Sequence, residues 1–134
     1  MVVDTSAIMA LLLGEPEATR IDNLLSSTDQ SVISAANHVE LLMVVESRAG
    51  AEGVLLADEA LRRLEIGIEH VTAEVARLAV DGWRRFGKGR HPAGLNFGDC
   101  FAYGLALARN ESLLFVGQDF AQTDIRSALD LKDL

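Results

Sequence analysis

Only one cysteine, Cys100, occurs in the 134 residues, so no intramolecular disulfide is possible and a reducing compartment, the cytoplasm, is expected. A small buried hydrophobe on a helix is the plain structural reading of Cys100. Aromatic residues make up 5 % of the chain against 49 % hydrophobic residues, so the core must be built mainly from Leu, Val, Ala and Ile. No apolar run approaches the roughly 20 residues that span a bilayer. No basic segment precedes a hydrophobic stretch at the start, so a secretory signal is not expected. Positive charge is also scarce: 12 Lys and Arg face 20 Asp and Glu, a formal net charge of -8. That balance argues against broad electrostatic attraction to nucleic acid. The length fits one domain over residues 1–134.

The basic residues that exist are concentrated. The stretch Asp81 to His91, DGWRRFGKGRH, carries 4 of the 12, and one such strip in an acidic protein is enough to hold a phosphate backbone. Along the chain, MVV runs straight into Asp4, the pattern of a buried parallel strand ending in an acid. Ala7, Ile8, Leu11 and Leu12 then fall at helical spacing, and Pro16 suits the first turn of a second helix reaching about Ser26. SVIS at 31–34 reads as strand two, with Ser34 as a possible cap for a helix over 35–49. Gly50 and Gly53 punctuate the next stretch, and a separate helix is predicted over 54–65. IEHV at 68–71 is strand three, and Thr72 caps a helix to about Phe86. A glycine-rich loop covers 87–97, a helix 98–109, a strand 112–116, a last helical turn lies near Asp119, and a weak strand 126–129 closes the chain. Strands alternating with helices imply a three-layer α/β/α architecture around a short parallel sheet of four or five strands.

Ligands of such sheets bind beyond the carboxyl ends of the strands. Asp4 ends strand one, Asp119 follows the strand at 112–116, Glu40 lies early in the helix leaving strand two, and Asp99 begins the helix after the glycine-rich loop. Four carboxylates from four segments would thus meet at one edge. Like charges so placed raise one another's proton affinity, and a divalent cation with a preference for oxygen ligands relieves the repulsion. Each acid also has a plain structural reading. Asp99 could simply cap its helix, Glu40 could face solvent, and any of the four could be a solvated surface charge. Asp4 is the hardest to dismiss, because burying an acid at a strand end is costly unless it is used. The three histidines show no catalytic pairing, and His38 and His70 are read as structural.

The residues also carry a resemblance. MVVDTSAIMALLLGEPEA resembles the opening of PIN-domain toxins of the VapC type, SAANHVELLMV their glutamate segment, LNFGDCFAYGLA their third-acid motif and LLFVGQDFAQTDI their C-terminal block. The four blocks occur in the family's order and span essentially the whole chain. The resemblance implies a PIN-like fold and a ribonuclease toxin of a type II toxin–antitoxin pair, dependent on Mg²⁺ or Mn²⁺. It further implies a cognate antitoxin protein, an RNA substrate, a homodimer and no membrane association.

By that resemblance the catalytic residues are Asp4, Glu40, Asp99 and Asp119. Asp4 and Asp99 bind the metal, Glu40 completes the site or orients the attacking water, and Asp119 supports a second cation or the water network. The block at 117–120 reads GQDF where many relatives have two adjacent acids, so Gln118 leaves Asp119 as the only acid of that doublet. Thr5 and Ser6 match the family's hydroxyl residues beside the first acid, with helix capping as the competing role. Lys88 and Arg90 are candidate RNA contacts, Arg84 and Arg85 candidates for pairing with acids of a partner, and Trp83 a core or interface residue. Two other readings stand beside this one. An aspartyl phosphatase needs a second acid two residues after the first, where this chain has Ser6, and a catalytically silent PIN-like binding module would not need all three principal acids.

Overall fold

The computed structural model describes residues 1–132. Four parallel strands, β1 (Val2–Val3), β2 (Val32–Ser34), β3 (Gly67–Glu69) and β4 (Leu113–Leu114), form one sheet in the order β3-β2-β1-β4. The register pairs Val2 with Val32 and Leu113, and Val3 with Ile33 and Leu114. Because neighbouring strand residues face opposite sides, this register sorts the core into two layers. Val3, Ile33 and Leu114 meet Ile8, Ile21 and Leu41 on one face. Val2, Val32 and Leu113 meet Val75, Ala79 and Tyr103 on the other. These strand residues are at most 8 % exposed, and full burial of each such side chain contributes about 1.5–3 kcal/mol. Short strands therefore suffice: β1, β2 and β4 are buried on both faces because helices cover both, whereas the edge strand β3 is largely exposed.

The first face is covered by α1 (Thr5–Leu13), α2 (Ala18–Ser26) and α3 (Ala35–Arg63), the second by α4 (Ala73–Phe86) and α5 (Phe97–Arg109). This is the three-layer arrangement expected, with four strands. β3 lies one residue earlier than the pattern IEHV suggested. The expected caps are present: Ser34 Oγ accepts from the Ala36 amide at 3.3 Å and Thr72 Oγ1 from that of Val75 at 3.1 Å.

One expectation is sharpened and one corrected. The two helices foreseen over 35–49 and 54–65 are present as the two arms of α3, which meet at a kink at Gly50, so the second arm begins directly after Gly50 rather than at 54. There φ is 64° and ψ is -155°, a conformation that glycine adopts at little steric cost, so the chain bends and resumes helix at once. The weak strand expected over 126–129 is reduced to a single bridge between Ser127 and Leu113. Ser127 Oγ instead accepts from the Asp130 amide at 3.4 Å, and the chain turns into α6 (Ala128–Lys132), burying Ala128 and Leu129. Among the described residues no helix is long and apolar enough to cross a membrane.

Candidate active site

The strand order sets the location of the site. From β1 the chain moves to β2 and β3 on one side, then returns through α4 and α5 to place β4 on the other side of β1. The crevice at the carboxyl ends of β1 and β4 lies at this reversal. Asp4 leaves β1 there, and Asp119 follows β4.

Asp4 is 3 % exposed. Its Oδ2 accepts from the Ser6 amide at 3.0 Å, so Asp4 itself caps α1. Its Oδ1 is buried without a hydrogen-bond partner. Burial, with a smaller contribution from the charge of Glu40, raises its carboxyl from 3.8 to about 6. Capping of α1 by Thr5 or Ser6 is therefore not observed, since Asp4 takes that role. Their hydroxyls tie the strand ends together instead. Thr5 Oγ1 donates to the Asn37 carbonyl at 3.1 Å, and Ser6 Oγ accepts from the Val116 amide at 3.0 Å.

Glu40 sits in the second turn of α3, partly buried. Its Oε1 accepts from Asn37 Nδ2 at 3.4 Å, and its carboxylate lies so close to Gly98 that any Cβ at that position would overlap it. A side chain at 98 would therefore displace the Glu40 carboxylate from this position. Asp99 occupies the first turn of α5 in a reciprocal cap: Asn96 Oδ1 accepts from the Asp99 amide at 2.8 Å, and Asp99 Oδ2 accepts from the Asn96 amide at 3.0 Å. Burial, and then the charges of Asp4, Asp119 and Glu40, raise its carboxyl to about 7. One acid that feels the other three shows that the four expected carboxylates share one electrostatic site. The helix-capping reading of Asp99 is borne out by this reciprocal cap.

Asp119 is exposed and precedes a 3-10 turn, Phe120–Gln122, without a side-chain cap bond. Cys100 next to Asp99 is buried, and burial pushes its thiol up to about 11, which leaves it inert.

Whether these residues suit a divalent cation is a question of donor chemistry. All four offer oxygen, and the buried Oδ1 of Asp4 has no partner, an arrangement that is unfavourable unless something positive reaches it. Among the described residues no three acids, histidines or cysteines close a cage unaided. A magnesium ion held by one or two carboxylates, waters and substrate phosphate does not need one.

The basic strip divides. Arg84 pairs with Asp81 at 3.1 Å and Arg85 with Asp124 at 3.2 Å, both exposed ion pairs within the chain. Arg85 also donates to the Tyr103 hydroxyl at 3.3 Å, which donates to Asp124 at 2.9 Å. Lys88 and Arg90 are exposed on the loop after α4, and the Arg90 guanidinium lies 4.1 Å from the centre of the half-exposed Trp83 ring. That loop is pinned by the Lys88 amide to the Leu95 carbonyl and the Leu95 amide to the Phe86 carbonyl, each at 2.9 Å. Lys88, Trp83, Asn96 and Phe97 line an apolar groove of about 550 Å³. Beyond Phe97 a second groove of about 410 Å³ reaches Glu40.

Asn37, Asn96 and Gly98 escaped the sequence reading. Asn96 three residues before Asp99 is the pattern of a reciprocal cap, and Asn37 stands one helical turn before Glu40, which was the available signal.

Known proteins share this plan. Ribonuclease VapC30 of Mycobacterium tuberculosis is 43 % identical over 125 residues, covering 93 % of this chain and 95 % of its own. Ribonuclease VapC of Mycolicibacterium smegmatis is 42 % identical, covering 93 % and 97 %. Among solved structures, the M. tuberculosis toxin VapC20, described as cleaving the sarcin–ricin loop, superimposes with a TM-score of 0.71 at 20 % identity over 92 % of this chain and 95 % of its own. A toxin–antitoxin complex from Klebsiella pneumoniae gives 0.69 at 18 % identity over 92 % of each chain. The PIN domain family matches residues 1–126. With four acids at the sheet's switch point and this match over nearly its whole length, the chain belongs to the PIN domain family.

Proposed function

We propose that this protein is a metal-dependent endoribonuclease, the toxin of a type II toxin–antitoxin pair, acting as one domain in the cytoplasm. The observation that carries the reading is the coupling of Asp4, Glu40, Asp99 and Asp119 at one edge of the sheet, in a chain whose relatives are named ribonucleases. Mg²⁺ or Mn²⁺ would be held by Asp4 and Asp99, which are fixed by bonds to the Ser6 and Asn96 amides. When bound, the cation supplies charge neutralisation for the phosphodiester and a lowered pKa for a nearby water. Glu40 orients the attacking water by accepting its hydrogen bond, and Asp119 supports the water network from the opposite side. Lys88 and Arg90 bind the RNA backbone on the flank of the same site.

Partner proteins follow from the same reading. A cognate antitoxin would silence the toxin, as the toxin–antitoxin composition of one structural neighbour suggests. A homodimer is supported by the apolar surface of Val39, Met43 and Phe97, which are 56 %, 66 % and 81 % exposed. Substituting Met43→Glu with Phe97→Asp should give a monomer by sedimentation, and an unchanged mass would remove this face from the interface.

The deciding experiment incubates the protein, freed of metal with a chelator, with end-labelled RNAs across Mg²⁺ and Mn²⁺ titrations. Cation-dependent internal cuts are expected. Cleavage equally strong in chelator, or none on any RNA at any cation concentration, would overturn the proposal.

A further inference from the structure

Asn37 is fully buried in the first turn of α3. Its Nδ2 donates to the Gly98 carbonyl at 2.9 Å and to Glu40 Oε1 at 3.4 Å, while its backbone carbonyl accepts from Thr5 Oγ1 at 3.1 Å. One residue therefore touches the neighbour of Asp4, the neighbour of Asp99, and Glu40 itself. Its Oδ1 has no partner. A buried acceptor left unmet costs roughly 1–3 kcal/mol, so an apolar residue of similar volume would serve the core better. The amide is justified by what its two N–H groups do.

We propose that Asn37 is a positioning residue for the acid site: it clamps the start of α5 to the start of α3 and aims Glu40 into the crevice. The proposal rests on the cation-dependent reading above. A glutamate has three rotatable side-chain bonds, and the negative charges of Asp4 and Asp99 push its carboxylate toward solvent. The shorter bond, to the Gly98 carbonyl, fixes the amide plane, and the second N–H is then directed at Glu40. From the other side Gly98 offers a surface without a Cβ, against which the carboxylate rests. Asp4, Glu40 and Asp99 thus arrive in a preset relation, and part of the cost of gathering them is met on folding.

The test uses Asn37→Leu, which keeps volume and removes both donors, and Asn37→Ser, whose hydroxyl is too short to reach Gly98. The first readout is Mn²⁺ binding to the RNA-free protein, followed by loss of the free-ion paramagnetic resonance signal. The second is the Mg²⁺ concentration that gives half-maximal cleavage. Both variants should fold, and each should weaken Mn²⁺ binding by about tenfold, as loss of a bond that orients a metal-site residue does. The half-maximal Mg²⁺ should rise by a similar factor. In a Glu40→Gln background, Asn37→Leu should weaken binding much less, because the residue it positions has already lost its charge. Mn²⁺ affinity within twofold of wild type in either variant would overturn the proposal, even if the melting temperature fell. So would full additivity with Glu40→Gln, or failure of both variants to fold, which would make the amide a folding requirement. A wild-type protein that neither binds Mn²⁺ nor cuts RNA would instead overturn the ribonuclease reading itself.

Discussion

Asp4 and Asp119 follow adjacent strands of one sheet under opposite constraints. Asp4 is held between a helix it caps and a core it borders, with one oxygen bonded and the other bare. Asp119 is exposed, and its side chain does not cap the turn that follows. Its backbone is anchored by the neighbouring Phe120, buried against Phe115, and farther out by the Val116 amide on Ser6 and by Asp124 on Tyr103 and Arg85, so the freedom is that of the side chain. The fixed region holds charge where water cannot relax it, so the protein carries a standing electrostatic cost there. The loose region can follow a ligand at little cost. On the proposed reading, the fixed acids would decide whether a cation binds, and the exposed one would adjust what happens next.

The sharpest way to break that comparison is to neutralise the fixed side. Asp4→Asn or Asp99→Asn should reduce RNA cleavage by at least about 10³-fold, the scale lost when a group acting on transition-state charge is removed. Circular dichroism should show an intact fold in each. Wild-type rates in either variant at saturating Mg²⁺ would show that the buried acids are not the site.

Next in size is a pH effect that belongs to the fixed region. Folding raises the carboxyl of Asp4 to about 6 and that of Asp99 to about 7 from an ordinary value of 3.8. An acid raised in this way stabilises the fold fully below its unfolded pKa, and the contribution is lost as pH rises through the folded value. Without metal, the protein should therefore melt at a higher temperature near pH 5 than near pH 8. Asp4→Asn should narrow the gap by about 1–2 kcal/mol. Cleavage should run the other way, falling as pH drops through about 7 and 6, because protonated carboxyls hold cations poorly. Thermal melts and rate profiles over that range check both signs, and a metal-free protein more stable at alkaline pH would contradict them.

A smaller effect is expected from the loose side. Asp119→Asn should cost about tenfold in cleavage, the lower end for perturbing the surroundings of a metal site. Raising Mg²⁺, or substituting Mn²⁺, should recover part of it. If Asp119→Asn is as inactive as Asp4→Asn at every cation concentration, the two regions form one obligatory site.

The smallest effect concerns the flank. Neutralising Lys88 and Arg90 together should reduce the slope of log affinity for single-stranded RNA against log salt by about 1.4, near 0.7 for each lost phosphate contact. The cleavage step itself should be unchanged. An unaltered slope would assign these residues to a protein interface.

The contrast between fixed and loose also separates what the sequence discloses from what it conceals. Asp4 was legible because an apolar run stops abruptly at an acid, and a parallel sheet turns that position into a crevice. The alternation of elements was legible because β1, β2 and β4 are short and buried, and because Asp4, Ser34 and Thr72 cap the helices after the first three strands. Gly50 marked the break between the two arms of α3, but the start of the second arm was hidden, since the chain resumes helix directly after one glycine at positive φ. The segment 126–129, Arg-Ser-Ala-Leu, is too short to carry a period that tells strand from helix, and the Ser127 cap decides for helix. The ion pair of Arg85 was hidden because Asp124, distant in sequence, joins it only through the fold. Asn37 was concealed most completely, since its role consists of contacts to residues 61 positions away at Gly98 and 32 positions away at Thr5.

The stacking of Arg90 on Trp83 has a practical consequence. Trp83 is the chain's single tryptophan, so long-wavelength ultraviolet emission comes from one place, beside the guanidinium proposed to meet phosphate. The indole is 44 % exposed and lies 4.1 Å from a cation. Anything that draws Arg90 away, or lays a base on the ring, will change its intensity and wavelength without any added label. The protein thus carries its own optical gauge on the flank, about which the buried acids are silent. Titrating RNA into Asp99→Asn while recording that emission would follow docking in a molecule unable to cut what it holds.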